Sequence, residues 1–353
     1  MSAAESKNVF LFTLKRIIAF MKIIFNVLRY FGLDWFIIAL AAMITLAFFF
    51  PLVGAKDSAI PLTHIATYGV SLIFFFYGLG LNMQKLVKGL SNWKLHLFTQ
   101  LSTFILFPII VICAKIIAGG QGQEMLWLGI FFLACLPSTV SSAVVMVSIA
   151  KGNVTAAIFN ASISTLIGVF LTPFFIGLYM SNATVDVDYR TILLKLTLQV
   201  VLPVILGMLL NRHFGKWAFK NRPKLRYFDQ SVILLIIYTS FCESFSQKVF
   251  EGYSVLLILE LMATVIFLFY VVYGITYLIA RAFKFSYADT ITHMFCSSTK
   301  SLVHASVISK ILFASSPYIG IILLPIMMYH PLQLLFISIF ARKEARKKKE
   351  KKV

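Results

Sequence analysis

Long apolar segments follow one another along almost the whole chain. Runs such as LDWFIIALAAMITLAFFFPLV and LELMATVIFLFYVVYGITYLIA are long enough to cross a bilayer as helices, which requires about 20 apolar residues. Only 13% of the residues are charged, whereas soluble domains have about a quarter. The sequence therefore predicts an all-α polytopic membrane protein, with little of the chain left for a soluble domain.

Hydropathy and the positions of helix-breaking residues predict ten membrane spans. A cytoplasmic segment over residues 1–34 would precede the ten-helix domain at 35–341, and a basic cytoplasmic tail at 342–353 would follow it. The predicted spans are 35–53, 62–81, 95–117, 125–150, 154–179, 190–210, 229–247, 253–281, 288–313 and 317–341.

The N-terminal segment is amphipathic. Lys15, Lys22 and Arg29 recur every seven residues on one helical face, among phenylalanines and isoleucines. This pattern predicts a helix lying on the cytoplasmic membrane surface, and an eleventh span is the alternative. No small-residue cleavage site follows the apolar part, so we predict no signal peptide.

The basic residues predict the orientation. Most of the 32 lysines and arginines fall in the N-terminal segment, in alternate connections and in the tail. The positive-inside rule then places both termini in the cytoplasm of a plasma membrane, or of an inner membrane in a bacterium. The net charge of +19 indicates contact with anionic lipid rather than with nucleic acid.

Two predicted spans are interrupted by polar runs, in LPSTVSSAV of the fourth and FCSSTKSLVHAS of the ninth. Pro137 removes a backbone donor. Lipid cannot satisfy unpaired backbone groups, so such breaks persist only where protein encloses them. Matching breaks in two five-span halves are typical of inverted-repeat transporters; helix packing by Ser and Thr is the alternative. The candidate site residues in the two runs are Ser138, Thr139, Ser141, Ser142, Ser297, Ser298, Thr299, Lys300 and Ser301.

Lys300 lies near the middle of the ninth span. A lysine at that depth costs at least about 2.5–3.5 kcal/mol, so we expect it to be paired, neutral or hydrated. The candidate partners are Glu243 and Glu260. Glu243 lies in YTSFCESFS, whose polar residues predict a hydrated cavity and a site residue, whereas Glu260 fits a structural carboxylate better.

Polar residues also recur on one face of the fifth span. Asn160, Ser164 and Gly168 are four apart, with Thr165 adjacent, so this face could turn toward the fourth-span break. A closely packed seam of small and polar residues is the alternative. Weaker candidates are Gln100, Thr103, His293 and His304.

The chemistry of an enzyme is missing from the sequence. It contains no HExxH motif, no Walker loop and no intramembrane aspartyl dyad, and its four cysteines have no zinc-type spacing. We therefore predict no catalytic residues and no cofactor, with a sodium ion as the one bound ion left open.

Several stretches together resemble the bile acid:sodium symporter superfamily. The resemblance extends from about Phe31 to Phe340 and is greatest to the branch with the seventh member of human solute carrier family 10. It implies two inverted five-helix repeats (about 35–180 and 188–341), panel and core domains, and broken helices 4 and 9 that cross. It also implies sodium ions near the crossing and alternating access. The matching stretches are GLGLN, KLHLF, LPSTVSSAV, GNVTAAIFNASIS, YTSFCESFS, FCSSTKSL and YHPLQL.

The chain departs from bile-acid-transporting relatives at the two breaks. Ser138 and Thr139 stand where those relatives have two glycines. Ser142 lies near the position of their serine, and Ala143 stands where they have an asparagine. The ninth span lacks the Glu and Gln that bind sodium, and it contains Lys300 instead. An ammonium would then occupy the position of the coupling cation, and its loss of a proton could couple transport to protons.

The leading hypothesis is a secondary transporter for a small, anionic organic solute, coupled to sodium or protons. Lys300 and the half-helix N-termini would neutralise the anion. The alternative is a regulator of calcium handling that binds a partner through residues 212–226 or the tail. An exchanger of inorganic cations would require acids at the breaks, and none is there. The oligomeric state is left open.

Overall fold

The computed structural model describes residues 35–58, 60–81, 92–119, 123–181, 194–195, 197–251, 253–314 and 316–350. Within these ranges the backbone is almost entirely helical and forms no strand. The predicted surface helix at 8–31 lies outside the described residues.

The described helices are labelled here in chain order. In the third, residues Ser102–Leu106 form a π-helical turn, and the seventh begins with another at Thr197–Val201. A single helical turn, Pro51–Gly54, follows the first helix. The helices are α1 (Trp35–Phe49), α2 (Leu62–Gly80), α3 (Trp93–Ile117), α4 (Glu124–Cys135), α5 (Ser141–Ile149), α6 (Val154–Ser181), α7 (Thr197–Lys220), α8 (Arg222–Ser246), α9 (Val255–Ala282), α10 (Tyr287–Ser298), α11 (Leu302–Leu312) and α12 (Ile319–Glu350).

Six of these helices are long and apolar enough to cross a membrane: α2, α3, α6, α7, α9 and α12. Helices α1 and α4 are also apolar but shorter. The protein is therefore an all-α, multi-pass membrane protein, as its hydropathy predicted. The count of ten spans and the inverted repeat stay predictions.

Two apolar segments are interrupted at their polar runs. Helix α4 ends at Cys135 and α5 begins at Ser141, while α10 ends at Ser298 and α11 begins at Leu302. The first interruption follows from Pro137, which has no N–H to continue the helix. The breaks read from the sequence are thus present in the structure.

The helices pack in two groups. In the first group α1, α2 and α7 each pack on α8, and α2 also packs on α7; the second group contains α3 to α6 with α9, α10 and α12. Helix α8 connects the groups by packing on α11 and α12. In the first group, α2 and α7 approach closely through Gly78 and Gly207, because a Cβ on either would collide with the other helix's backbone.

The basic connection expected after the sixth span is mostly helical. Helix α7 extends to Lys220 and α8 begins at Arg222, which leaves only Asn221 between them. Helix α12 likewise continues beyond the predicted span end at Ala341 as far as Glu350. Hydropathy shows where the apolar residues end, whereas the helix itself continues for as long as its backbone N–H groups bond to carbonyls four residues earlier.

Candidate functional site

The two helix interruptions touch each other. The Ser301 N–H donates to the Pro137 carbonyl at 2.9 Å, and the hydroxyls of Ser138 and Thr299 are 2.9 Å apart. We call residues 136–140 and 299–301 the crossing. Four half-helix ends, from α4, α5, α10 and α11, meet there. The two polar runs, far apart in sequence, thus form one site.

The C-terminal end of α4 leaves carbonyls without the usual helical donors. Thr172 of α6 donates its hydroxyl to the Cys135 carbonyl at 2.7 Å. The Ser138 N–H in turn donates to the Ser164 hydroxyl at 2.9 Å. Helix α6 therefore supplies side chains that satisfy part of the break.

The Lys300 ammonium satisfies two further carbonyls. These two carbonyls lie at the end of α4: Nζ donates to Ala134 O at 2.6 Å and to Leu136 O at 2.8 Å. Nζ also donates to a third carbonyl, Thr103 O of α3, at 2.8 Å. An ammonium has three donors, so all of them are used. The Nζ also lies 4.3 Å from the Phe107 ring centroid, at cation–π distance, and Lys300 is fully buried.

The Thr103 carbonyl is available because of the π-helical turn in α3. Within Ser102–Leu106 the bonding shifts, so that Phe107 donates its N–H to Ser102 O. The next residue, Pro108, has no N–H to offer. The carbonyl of Thr103 is therefore left to accept from Lys300.

Helix α12 fixes the backbone at Lys300. Gln333 accepts from the Lys300 N–H at 2.7 Å and donates to the Lys300 carbonyl at 2.8 Å. Tyr329 donates its hydroxyl to the Ser298 carbonyl at 2.7 Å. The sequence predicted no role for Tyr329 and Gln333; their signal is that two polar residues flank Pro331 in an apolar segment.

The prediction of an acidic partner for Lys300 is wrong. Glu243 Oε2 accepts from the Lys56 N–H at 2.9 Å, and Glu260 is exposed on α9. Carbonyls at a helix C-terminus carry partial negative charge and can balance a cation without a carboxylate. Since all three Lys300 donors are used, its expected contact with an anionic solute is also unsupported by this geometry.

Glu243 lies instead at a small cavity of about 30 Å³ between α8 and α11. We call this the outer cavity. Its volume suits one or two waters. Ser240, fully buried there, has a hydroxyl without a hydrogen-bond partner among the described residues. The polar lining consists of Lys56, Thr63, Thr239, Ser240, Glu243, Lys310 and Ser316.

The polar face of α6 divides between two neighbours. Ser164 and Gly168 face the break as expected, and a Cβ on Gly168 would lie 2.8 Å from the Pro137 ring. Asn160 turns toward α3, where its Oδ1 is 3.1 Å from His96 Nδ1 and 3.3 Å from Gln100 Nε2. Thr165 donates to the carbonyl of Ala161 in its own helix.

The histidines take part in local hydrogen bonds. His293 Nδ1 is 3.1 Å from the Thr99 hydroxyl and 3.4 Å from that of Ser297. His304 Nδ1 is 2.8 Å from the Ser301 hydroxyl. That hydroxyl also accepts from the His304 N–H and thus caps the start of α11.

The remaining hydroxyls bond close to the crossing. Thr139 and Ser142 pair at 2.9 Å at the start of α5. Ser298 and Thr299 donate to carbonyls one turn earlier in α10, and the Thr103 hydroxyl does the same in α3. The side chain of Ser141 lies outside the described residues. Within the described part of the chain, no cluster of His, Cys, Asp or Glu could hold a metal ion.

One side of the crossing is less buried than the rest. Val140, Ser142 and Val303, at the starts of α5 and α11, are only partly buried, whereas Thr299, Lys300 and Ser301 are buried. Helix N-termini carry partial positive charge and unpaired N–H groups. The less buried side of the crossing thus contains the N-termini of α5 and α11, whereas Lys300 is fully buried.

Two broken helices that meet inside a membrane domain are typical of transporters. Comparison with known proteins gives the family. Residues 34–346 match the SBF-like CPA transporter family, and the chain belongs to that family. This confirms the resemblance to the bile acid:sodium symporter superfamily.

Three relatives illustrate the match. An uncharacterised protein of Pseudomonas aeruginosa is 36% identical over 89% of this chain and 94% of its own length. The putative symporter YfeH of Escherichia coli K12 is 35% identical over 89% and 93%. Sodium/bile acid cotransporter 7-B of Xenopus laevis is 33% identical over 87% and 90%.

Proposed function

We propose that this protein is a secondary active transporter that moves a small organic anion by alternating access, coupled to a sodium or proton gradient. The observation that carries the proposal is the contact between the two interrupted segments, which places four half-helix ends in one site. The printed names of relatives, a putative symporter and a sodium/bile acid cotransporter, agree with it.

The anion would bind where α5 and α11 begin. Both helix N-termini offer partial positive charge there. Thr139 and Ser142 share one hydroxyl–hydroxyl bond, which leaves one O–H of the pair to donate to an anion beside the partly buried Val140. Helix ends of this kind suit a carboxylate, sulfate or similar group better than a cation.

Movement would occur where α8 meets α11 and α12. Helix α8 belongs to one packing group, and α12 belongs to the other. The outer cavity lies along the α8–α11 contact, so this contact is polar and incompletely filled. Separation of the two groups there would open a path to the crossing from one side.

The test is uptake into proteoliposomes. Labelled carboxylates and sulfonates are supplied with a sodium gradient, with choline in place of sodium, and with a pH gradient. We expect gradient-driven accumulation of at least one anion, lost in a Thr139→Val, Ser142→Ala double variant. Ser148→Ala, an exposed position of the same helix, is the matched control. Absence of gradient-driven uptake across all anions, with folded protein, would contradict the proposal.

A second candidate is a regulator of calcium homeostasis that transports weakly or not at all. The helical extension of α12 supports it, because this helix continues through the basic residues after Ala341 as far as Glu350. Removal of residues 342–353 should abolish the effect of a regulator on cellular calcium. The same truncation should leave a transporter's uptake intact.

A further inference from the structure

Three backbone carbonyl oxygens point at one position inside the protein. They belong to Thr103, Ala134 and Leu136, and each lies 2.6–2.8 Å from Lys300 Nζ. They come from α3 and from the end of α4, which follow each other in the chain, whereas Lys300 is more than 160 residues away in sequence. We call them the carbonyl cage.

Separate structural devices free these oxygens. The π-helical turn and Pro108 leave Thr103 O without a backbone donor. The end of α4 frees Ala134 O, because the Ser138 N–H bonds to Ser164 instead. Because α4 ends at Cys135, the Leu136 carbonyl accepts from Lys300 Nζ rather than from an N–H of a next helical turn.

A cage of this composition suits a monovalent cation. Backbone carbonyls replace the hydration shell of alkali ions in proteins. The C-terminal end of α4 adds partial negative charge, and the Phe107 ring faces the same point at 4.3 Å. Among the described residues, no carboxylate bonds to the Lys300 Nζ, so the cage is built for a single positive charge without a counter-ion.

We propose that the cage is a monovalent-cation site and that the Lys300 ammonium is its resident cation, tethered by the chain. Gln333 acts as a positioning residue, because its carboxamide holds the Lys300 backbone on both sides. One consequence rests on the proposed function: transport does not require a sodium ion at the crossing. The existence of the cage cation is independent of transport.

The experiment restores the missing cation from solution. Lys300→Ala removes three carbons and the nitrogen, which together correspond to n-propylammonium. Thermal unfolding of the purified full-length protein is measured in choline chloride, NaCl, KCl and n-propylammonium chloride. We expect the midpoint of Lys300→Ala to rise by a few degrees with propylammonium, and to rise with sodium or potassium, in a saturable manner. The wild-type midpoint should be the same in propylammonium chloride as in choline chloride, because the ammonium of Lys300 already occupies the cage.

Three controls separate cation binding from general salt effects. n-Propanol has the same carbon chain without the charge and should not rescue Lys300→Ala. Lys300→Met fills the side-chain volume with a neutral group, so its midpoint should be insensitive to the cation. Lys310→Ala removes a lysine of the same segment that lies outside the cage, so its midpoint should depend on the salt as the wild-type midpoint does.

Clear outcomes would overturn the proposal. Equal midpoints of Lys300→Ala in all salts would do so, as would a wild-type protein stabilised by propylammonium as much as Lys300→Ala is. If Lys300→Ala is obtained only in small yield, propylammonium present during purification should increase the monodisperse fraction, and no increase overturns the proposal too. A failed uptake assay with folded protein would contradict the proposed function alone, whereas absence of propylammonium rescue in Lys300→Ala would contradict this inference alone.

Discussion

Lys300 and Lys310 lie ten residues apart in one interrupted segment, yet their surroundings differ completely. The Lys300 ammonium donates to three carbonyls and is fully buried. Lys310 is partly buried at the outer cavity, where its one hydrogen bond in the described structure is a 3.5 Å contact with Thr239. A buried charge is stable where fixed oxygens replace its water. A loosely held charge at a partly filled contact can exchange partners when the helices move.

The largest expected effect is the loss of the Lys300 ammonium. Lys300→Ala leaves three buried carbonyls without a donor, and each costs about 1–3 kcal/mol. In choline chloride we expect the free energy of unfolding to fall by at least about 3 kcal/mol, seen as a lower midpoint of thermal unfolding. Lys310→Ala should change it by less than about 1 kcal/mol. Equal losses in the two variants would remove the distinction between the two lysines.

Next in size is the loss of the carboxamide that holds Lys300. Gln333→Leu removes two hydrogen bonds to the Lys300 backbone and leaves that N–H and carbonyl unpaired. We expect destabilisation by about 2–3 kcal/mol, together with a weaker preference for propylammonium in a Lys300→Ala background. Gln247→Leu, at an exposed residue after α8, is the control. A Gln333→Leu protein as stable as wild type would show that α12 does not support the cage.

A smaller effect is expected where α6 touches the break. A Cβ on Gly168 would lie within 3 Å of three Pro137 ring atoms, so Gly168→Ala must shift α4's end or α6. We expect a loss of about 1–3 kcal/mol, typical of overpacking. In contrast, a Cβ on Gly274 in α9 would meet no atom within 4 Å, so Gly274→Ala should be neutral or stabilising by about 1 kcal/mol. Thermal unfolding of the pair measures the difference.

The smallest effect on stability is expected at the outer cavity. Glu243→Gln keeps an oxygen that accepts from the Lys56 N–H and removes only the charge. We expect the free energy of unfolding to change by less than about 1 kcal/mol. The rate of uptake should change, because the α8–α11 contact becomes less polar. Glu251→Gln, at an exposed position beyond α8, should leave both unchanged; uptake unaltered in Glu243→Gln would exclude a role of this contact in transport.

Local physical chemistry explains how much of the fold could be predicted. Hydropathy identified the membrane class, because lipid excludes unpaired backbone and charged groups alike. The position of Pro137 and the polar run at 297–301 located both breaks to within a few residues. Motif resemblance pointed to the family that the comparison confirms.

The partners of Lys300 could not be predicted in the same way. Reasoning from charge favoured Glu243, since a carboxylate is the usual partner of a buried lysine. The actual acceptors are backbone carbonyls, and backbone atoms leave no signal in residue identity. Thr103 was a candidate for its hydroxyl, but its carbonyl reaches Lys300.

The sequence by itself determined that this chain enters a membrane, that it interrupts two apolar segments, and which family it belongs to. These properties depend on composition and short-range spacing, which are written in the chain. The tertiary structure alone decided that the breaks meet, that Lys300 fills a cage of carbonyls and that Gln333 holds it. Those pairings join residues 33–197 positions apart, and only the packing of whole helices brings such atoms within hydrogen-bond distance.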